Sequence, residues 1–176
     1  MAAAILRGDP DALLTPPKAV LPRLLAGESL AHAWGDLVTG TALLATLAGL
    51  DAARWPLTML AVALGVAVYV SAAITFASLA FWMAGARSFA RDLTDFLLLF
   101  STFPGSIYSG ATKLVAFTVL PAGFVVLAPV EFVREPTSAH LAIAAAAAIG
   151  YAALAALVFD IGLRRYQRGE TPTSSA

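Results

Sequence analysis

The sequence predicts an all-α fold, a polytopic transmembrane bundle of about four membrane-spanning helices with one interfacial amphipathic helix. Of its 176 residues, 60% are hydrophobic and 12% are charged, whereas about 25% of the residues of an ordinary soluble domain are charged. A chain of this length cannot bury so much apolar surface in its own core, so lipid must cover the excess. The apolar residues are also gathered into runs long enough to enter or cross a bilayer.

Four apolar runs are the predicted spans. Residues 57–83 contain no charged residue and end near the aromatic pair Phe81-Trp82, where a membrane interface is expected. The last run is rich in Ala and contains one acid, Asp160, near its end. The transmembrane segments predicted in this way are residues 30–50, 57–83, 114–132 and 141–163.

The third of these runs is expected to be kinked or broken. It contains Pro121, Gly123 and Pro129, and a proline inside a helix removes one hydrogen-bond donor and clashes with the preceding turn. Transporters use broken helices to line a path through the membrane. A passive kink accommodated by neighbouring helices is the alternative interpretation.

Residues 87–103 have a different pattern, which favours an amphipathic helix lying at the membrane interface. Their large apolar side chains fall on one helical stripe, and Arg91, Asp92 and Asp95 fall elsewhere. The members of the apolar stripe are Phe89, Leu93, Phe96, Leu97 and Phe100.

The distribution of positive residues predicts the orientation of a single membrane domain, residues 1–176. With four spans, the loop at 1–29, the connection at 84–113 and the tail at 164–176 share one side, which then holds nine Lys and Arg residues against two on the other. A further span over residues 93–108 would divide them six against five. The positive-inside rule therefore favours four spans with both termini cytoplasmic, and Lys113 is interpreted as a cytoplasmic anchor.

Catalytic, cofactor-binding and metal sites are not expected in this chain. The sequence has no cysteine, no Gly-rich loop of the kind that cradles ATP phosphates, and no nucleophile turn. Its two histidines form no cluster with metal-ligand spacing. The formal net charge is zero, so nothing indicates a nucleic-acid partner.

Several dispersed motifs resemble the type-2 ABC transporter permeases, in particular a bacterial branch of exporter permeases with six spans per subunit. The resemblance extends from Gly8 to Tyr166 and corresponds to the last two-thirds of a typical member. The first two spans are missing, so either the true start lies upstream of Met1 or this is a truncated copy. The motifs that carry it are Gly8-x-x-Asp11-x-x-Leu14-x-x-Pro17, Phe81-Trp82, Pro104-x-x-Ile107-Tyr108, Phe117-x-x-x-Pro121-Ala122-x-Phe124-x-x-x-x-Pro129 and Gly162-Leu163-Arg164-Arg165-Tyr166.

The resemblance implies a permease subunit of an ATP-driven exporter in the bacterial cytoplasmic membrane. Two permease subunits, identical or different, would form the pathway, and two cytoplasmic ATPase subunits would hold ATP and Mg and hydrolyse the nucleotide. This chain itself would then not be an enzyme. The alternative hypothesis is a non-transporting membrane scaffold or a truncated permease remnant. An intramembrane enzyme would need a polar cluster at midplane depth, which the sequence does not show.

The resemblance and the residue patterns together assign three sets of candidate residues. Coupling to the ATPase would involve Gly8, Asp11, Leu14, Pro17 and Lys18, although an ordinary connecting loop is the simpler interpretation. A re-entrant outer gate would use Pro121, Gly123 and Pro129. Asp160 and Arg164 are four residues apart on a helix and are interpreted as a structural ion pair, with a functional acid inside a span as the alternative. The sequence leaves the substrate open.

Overall fold

The structure, a computed structural model, describes residues 38–43, 46, 52–83, 86–103 and 109–168. Within these ranges the regular elements are all helical, which confirms the predicted all-α class. The predicted cytoplasmic loop at 1–29 lies outside the described residues, as do most of segment 30–50 and most of the tail.

The described residues belong to two compact units, one ending at Thr58 and one beginning at Met59. Helix α1 (Trp55–Ser78) crosses that boundary and continues as a 3₁₀ turn at Leu79–Phe81. The second unit contains the rest of α1 and the elements that follow it. These are α2 (Ala86–Thr102), α3 (Gly110–Thr118), a π-helical turn at Gly123–Leu127, α4 (Ala128–Arg134) and α5 (Ser138–Gln167).

Two of the described helices are long and apolar enough to cross a membrane. They are Trp55–Phe81, with 27 residues, and Ser138–Gln167, with 30 residues, which correspond to lengths of about 40 and 45 Å. Only 17% of the most apolar window of α5 is buried by the rest of the chain, so lipid or another chain must cover most of it. The predicted count of four spans is not reached within the described residues.

The C-terminal ends of α1 and α5 are joined by aromatic packing, which we call the aromatic joint (Phe81, Phe159, Gly162 and Tyr166). The ring of Phe81 lies against Gly162, where a Cβ atom would overlap it. Phe81 makes edge-to-face contacts with Phe159 and Tyr166, at centroid distances of 5.8 and 6.3 Å. Such pairs stabilise by about 0.5–1.5 kcal/mol beyond the area that they bury.

Helix α2 and α1 contribute to one apolar cluster. The apolar stripe of α2 (Ala90, Leu93, Leu97 and Phe100) packs there with Tyr69, Ala72 and Phe76 of α1 and with Leu120, Ala122 and Val125. The 17 residues of α2 contact the 3₁₀ turn that ends α1 and also the π-helical turn. The interfacial position predicted for residues 87–103 stays a prediction.

The third predicted span, residues 114–132, is not a continuous helix. Helix α3 ends at Thr118, the chain turns at 119–122, and the π-helical turn with α4 leads back alongside α3. Lys113, near the start of α3, and Glu131, in α4, line one cleft together with His140, near the start of α5. These elements thus form a helical hairpin (residues 110–134), whose open end lies beside the start of α5.

Each arm of the hairpin is too short to cross a bilayer. The first arm has the nine residues of α3 and the second runs from Gly123 to Arg134, so the arms measure about 14–18 Å against a hydrocarbon core of about 30 Å. The reversal has a local cause, because Pro121 cannot donate the hydrogen bond that would continue α3. The hairpin therefore enters and leaves on the same side of the bundle.

Candidate functional site

The tip of the hairpin is held by Tyr151 of α5. Pro121 has no backbone N–H, so the carbonyl of Phe117, four residues earlier, lacks its usual helical donor. The Tyr151 hydroxyl lies 3.1 Å from that oxygen and 3.2 Å from the Thr118 oxygen, which places it to donate to both. An unpaired carbonyl is costly where water is excluded, so this hydroxyl makes the reversal tolerable at the depth of a membrane helix.

Aromatic rings pack around the same tip. The rings of Phe117 and Phe124 meet edge to face at a centroid distance of 5.2 Å, and Phe124 is tilted against Tyr151 at 6.1 Å. A Cβ atom at Gly123 would overlap the Phe117 ring. The glycine therefore allows the two arms to approach closely where the second arm begins.

The second arm of the hairpin also contacts α1. A Cβ atom at Gly65 would overlap the carbonyl oxygen of Val125 and would lie 3.3 Å from Cγ of Pro129. Backbone cannot move aside as a side-chain end can, so this contact depends on the absence of a side chain at Gly65. The hairpin is thus packed against α1 on one side and α5 on the other.

The three predicted gate residues all lie in this hairpin and are buried. Pro121 is at the tip, Gly123 begins the π-helical turn and Pro129 is in the first turn of α4. π-Helical turns are rare and frequently occur at functional sites. The gating role of these residues stays a prediction.

A cleft of about 350 Å³ lies between the hairpin and the start of α5. Three of its lining residues are polar, namely Lys113, Glu131 and His140. The others are apolar and include two rings of the hairpin tip: Phe117, Phe124, Leu127, Ala128 and Ile143. The cleft therefore combines groups of both charges with an apolar wall.

The sequence did not predict this cleft, and the cytoplasmic position expected for Lys113 stays a prediction. Lys113 shares the cleft with His140, near the start of α5, while Arg164 and Arg165 lie in the last turn of that helix. The sequence signal for this cleft was weak, because its three polar residues are widely separated in the chain. They become neighbours only because the chain reverses direction in the hairpin.

The described surface of α2 carries a charged face. Arg91, Asp92 and Asp95 are exposed, and on a helical wheel they lie opposite the stripe that packs on α1. The sequence predicted this segregation of charged and apolar residues. The charged face therefore lies on a helix that also shares an apolar cluster with α1.

The remaining candidate residues fall into two groups. Arg164 Nη2 donates to Asp160 Oδ2 at 3.0 Å, with 70% and 58% of the two side chains exposed. A pair this exposed contributes about 0.3–0.5 kcal/mol at most. The proposed coupling residues Gly8, Asp11, Leu14, Pro17 and Lys18 lie outside the described residues. Among those described, no cluster of His, Asp and Glu is arranged to hold a metal ion.

Comparison with known proteins supports the family resemblance seen in the sequence. A family model described as ABC-2 family transporter protein matches residues 1–169. No curated protein and no solved structure matches this chain. The family match covers nearly the whole sequence, including the hairpin, the cleft and the charged face of α2. The chain therefore belongs to the ABC-2 transporter family.

Proposed function

We propose that this chain is the permease subunit of an ATP-driven exporter in a bacterial cytoplasmic membrane. A separate cytoplasmic ATPase would hold ATP and Mg, and a second permease subunit, identical or different, would complete the pathway. Membership of the ABC-2 transporter family supports this proposal, as do the two helices of membrane-crossing length. The observation that carries it furthest is the charged face of α2.

The charged face of α2 would be costly to expose to lipid. An Arg or Asp at the centre of a membrane helix costs about 2.5–3.5 kcal/mol even on the most lenient insertion scale. Arg91, Asp92 and Asp95 are exposed on a helix whose opposite face packs in an apolar cluster with α1. In a bilayer this face must meet water or another polypeptide, and a translocation path between two permease subunits offers both.

If α2 crosses the membrane, the topology differs from the one predicted from the sequence, but both termini are still cytoplasmic. The crossing segments are residues 30–50, α1 with its 3₁₀ turn, α2 and α5, and the hairpin enters and leaves on the outer side. Three positive residues then face outward: Arg54, Lys113 and Arg134. The other eight are at or near the cytoplasmic side: Arg7, Lys18, Arg23, Arg87, Arg91, Arg164, Arg165 and Arg168. The positive-inside rule still favours cytoplasmic termini.

Two further roles follow from this topology. The hairpin, with Pro121, Gly123 and Pro129, is placed to act as the outer gate, because it fills the outer half of the bundle beside α1 and α5. The segment with Gly8, Asp11, Leu14, Pro17 and Lys18 would face the cytoplasm and dock on the ATPase. Displacing the hairpin would open the path outward while the ATPase drives the alternation.

Cysteine accessibility tests the transport path, because the chain contains no cysteine of its own. Asp95→Cys is placed on the charged face, and Ile149→Cys serves as the control on a lipid-facing part of α5, where Ile149 is 70% exposed. Both variants are treated with a membrane-impermeant maleimide in membranes that also contain the ATPase, with and without ATP. We expect labelling at position 95 that changes with nucleotide, and none at position 149.

The opposite pattern would remove the support from α2. If Asp95→Cys stays unlabelled in every nucleotide state while an added cysteine at exposed Met83 reacts, the charged face is covered by protein and lines no path. That result would favour the alternative of a non-transporting membrane scaffold or permease remnant.

A further inference from the structure

We propose that the cleft between the hairpin and α5 binds the headgroup of a phospholipid that carries a primary amine. This inference goes beyond export and requires only that the chain lies in a bilayer. It rests on the polar groups of the cleft, on the hydrogen-bonding state of His140, and on the apolar wall that continues inward from them.

The cleft offers one group for each charge of such a headgroup. Lys113 is a cation and Glu131 is an anion, and both line the cleft. Neither forms a salt bridge with another described residue. A phosphate would accept hydrogen bonds from Lys113, and an ammonium group would donate to Glu131, both as charge-assisted hydrogen bonds. A zwitterion satisfies both residues at once, whereas an anionic or neutral headgroup leaves Glu131 without a partner.

The hydrogen bond of His140 adds a second acceptor for the amine. Nδ1 of His140 lies 2.8 Å from the carbonyl oxygen of Glu135, and a carbonyl can only accept, so Nδ1 carries the hydrogen. In the neutral ring Nε2 is then an acceptor, on a residue that lines the cleft. A primary ammonium has three N–H donors for Glu131 and Nε2, while a quaternary ammonium has none.

The apolar wall explains why the ligand would be a lipid and not a free phosphoamine. Phe117, Phe124 and Leu127 line the interior of the cleft, and Ile143 lines it while remaining 51% exposed on α5. A volume of about 350 Å³ lies at the small end of the range for ligand sites. It accommodates a headgroup and the beginning of an acyl chain, and the rest of the lipid would stay in the bilayer against α5.

Native mass spectrometry of the full chain in detergent tests this inference without ATP or ATPase. The probes are phosphatidylethanolamine, phosphatidylcholine and phosphatidylglycerol with identical palmitoyl and oleoyl chains. We expect phosphatidylethanolamine to be retained about tenfold more strongly than either of the others, since one charge-assisted hydrogen bond corresponds to a factor of this size. Glycerophosphoethanolamine, which is the headgroup without acyl chains, should compete weakly.

Two variants and two matched controls assign the binding to the cleft. Glu131→Gln and Lys113→Gln should each reduce retention of phosphatidylethanolamine about tenfold. The controls Asp160→Asn and Arg134→Gln remove one charge of each sign from exposed side chains that do not line the cleft, and they should leave retention unchanged.

Equal retention of the three lipids, or equal effects of cleft and control variants, would overturn the proposal. A preference for phosphatidylglycerol that depends on Lys113 alone would replace it with a simple anion site. Full competition by glycerophosphoethanolamine would assign the site to a soluble phosphoamine. Because no transport is measured, failure here leaves the permease proposal intact, and failed transport leaves this binding result standing.

Discussion

The two ends of α5 are attached to the rest of the bundle in different ways. At the C-terminal end, the aromatic joint is formed by side-chain packing of Phe81 on Gly162, Phe159 and Tyr166. In the N-terminal half, α5 packs against α4 and the π-helical turn, and it also meets the hairpin through a hydroxyl shared between two carbonyls and through a charged cleft. Aromatic packing fixes the C-terminal end of α5, while the end beside the hairpin also has polar contacts that can be exchanged for water or a ligand.

This difference indicates which part of the bundle moves. A dense aromatic contact has no good alternative arrangement, because every displacement loses buried area. The hairpin combines packing of α4 on α5 with a close backbone contact at Gly65 and the hydrogen bonds of Tyr151, and the last two can be broken separately. We therefore expect the aromatic joint to behave as a fixed pivot and the hairpin as the mobile element. In the proposed topology the joint lies on the cytoplasmic side and the hairpin on the outer side.

Removing the ring of Phe81 should produce the largest effect. Its side chain is 3% exposed, and truncating a buried Phe to Ala typically costs about 3–5 kcal/mol. Phe81→Ala should lower the thermal midpoint of the detergent-solubilised protein sharply, as followed by far-UV circular dichroism. Phe89→Ala, at a site that is 47% exposed, is the matched control and should lower it little. Similar losses for both variants would contradict the aromatic joint.

A methyl group at Gly65 should separate the hairpin from α1. The added Cβ atom would meet the Val125 carbonyl, and overpacking of this kind costs about 1–3 kcal/mol. We expect Gly65→Ala to lower the thermal midpoint and to make the hairpin more susceptible to proteolysis. Gly150→Ala is the control, because nothing lies within 4 Å of its added Cβ atom and alanine favours a helix by about 1 kcal/mol. A stabilised Gly65→Ala variant would contradict the close contact.

Loss of the Tyr151 hydroxyl should loosen the hairpin tip without dismantling it. Tyr151→Phe keeps the ring but leaves the carbonyls of Phe117 and Thr118 without this donor, at a cost of about 1 kcal/mol, as for other polar contacts between membrane helices. Hydrogen exchange at residues 117–124 should become faster, with little change in α1. Tyr151→Leu, which also removes the ring, should have a larger effect. Unchanged exchange in Tyr151→Phe would mean that the hydroxyl does not hold the tip.

The ion pair near the C-terminal end of α5 should have the smallest effect. Asp160→Asn removes one charge of an exposed pair, and such pairs contribute about 0.3–0.5 kcal/mol or less. The thermal midpoint and the transport rate with the ATPase are both expected to stay close to those of the unmodified chain. A strong loss of transport at an unchanged midpoint would instead identify Asp160 as a functional acid.

Much of the fold is visible in the sequence because it depends on local pattern. The charge-free run at 57–83 and the Ala-rich run at 141–163 predict the two longest helices, which the structure gives as Trp55–Phe81 and Ser138–Gln167. The prolines predict an interruption near residue 121, and the structure interrupts the helix there. These features depend only on the length and composition of a single segment. They can be predicted without knowing which helices pack against it.

The direction of the chain after an interruption depends on distant residues. Proline favours a kink and a reversal alike, and here the reversal is supported by Tyr151 on α5 and by the space that Gly65 leaves on α1. Likewise, the segregated faces of residues 87–103 fit a helix lying flat at an interface as well as a helix crossing beside a polar path. The cleft was missed for the same reason, since Lys113, Glu131 and His140 approach one another only through the hairpin.

The sidedness of α2 tests the central claim most directly. Single cysteines at Met83 and Phe103, which are 49% and 43% exposed, stand just before and just after this helix. Each variant is treated with an impermeant maleimide in intact spheroplasts and in inside-out vesicles. If α2 crosses the membrane, Phe103→Cys reacts from the outside only and Met83→Cys from the cytoplasmic side only. Reaction of both positions from the cytoplasmic side would place α2 flat at the interface and contradict the proposed path and outer hairpin.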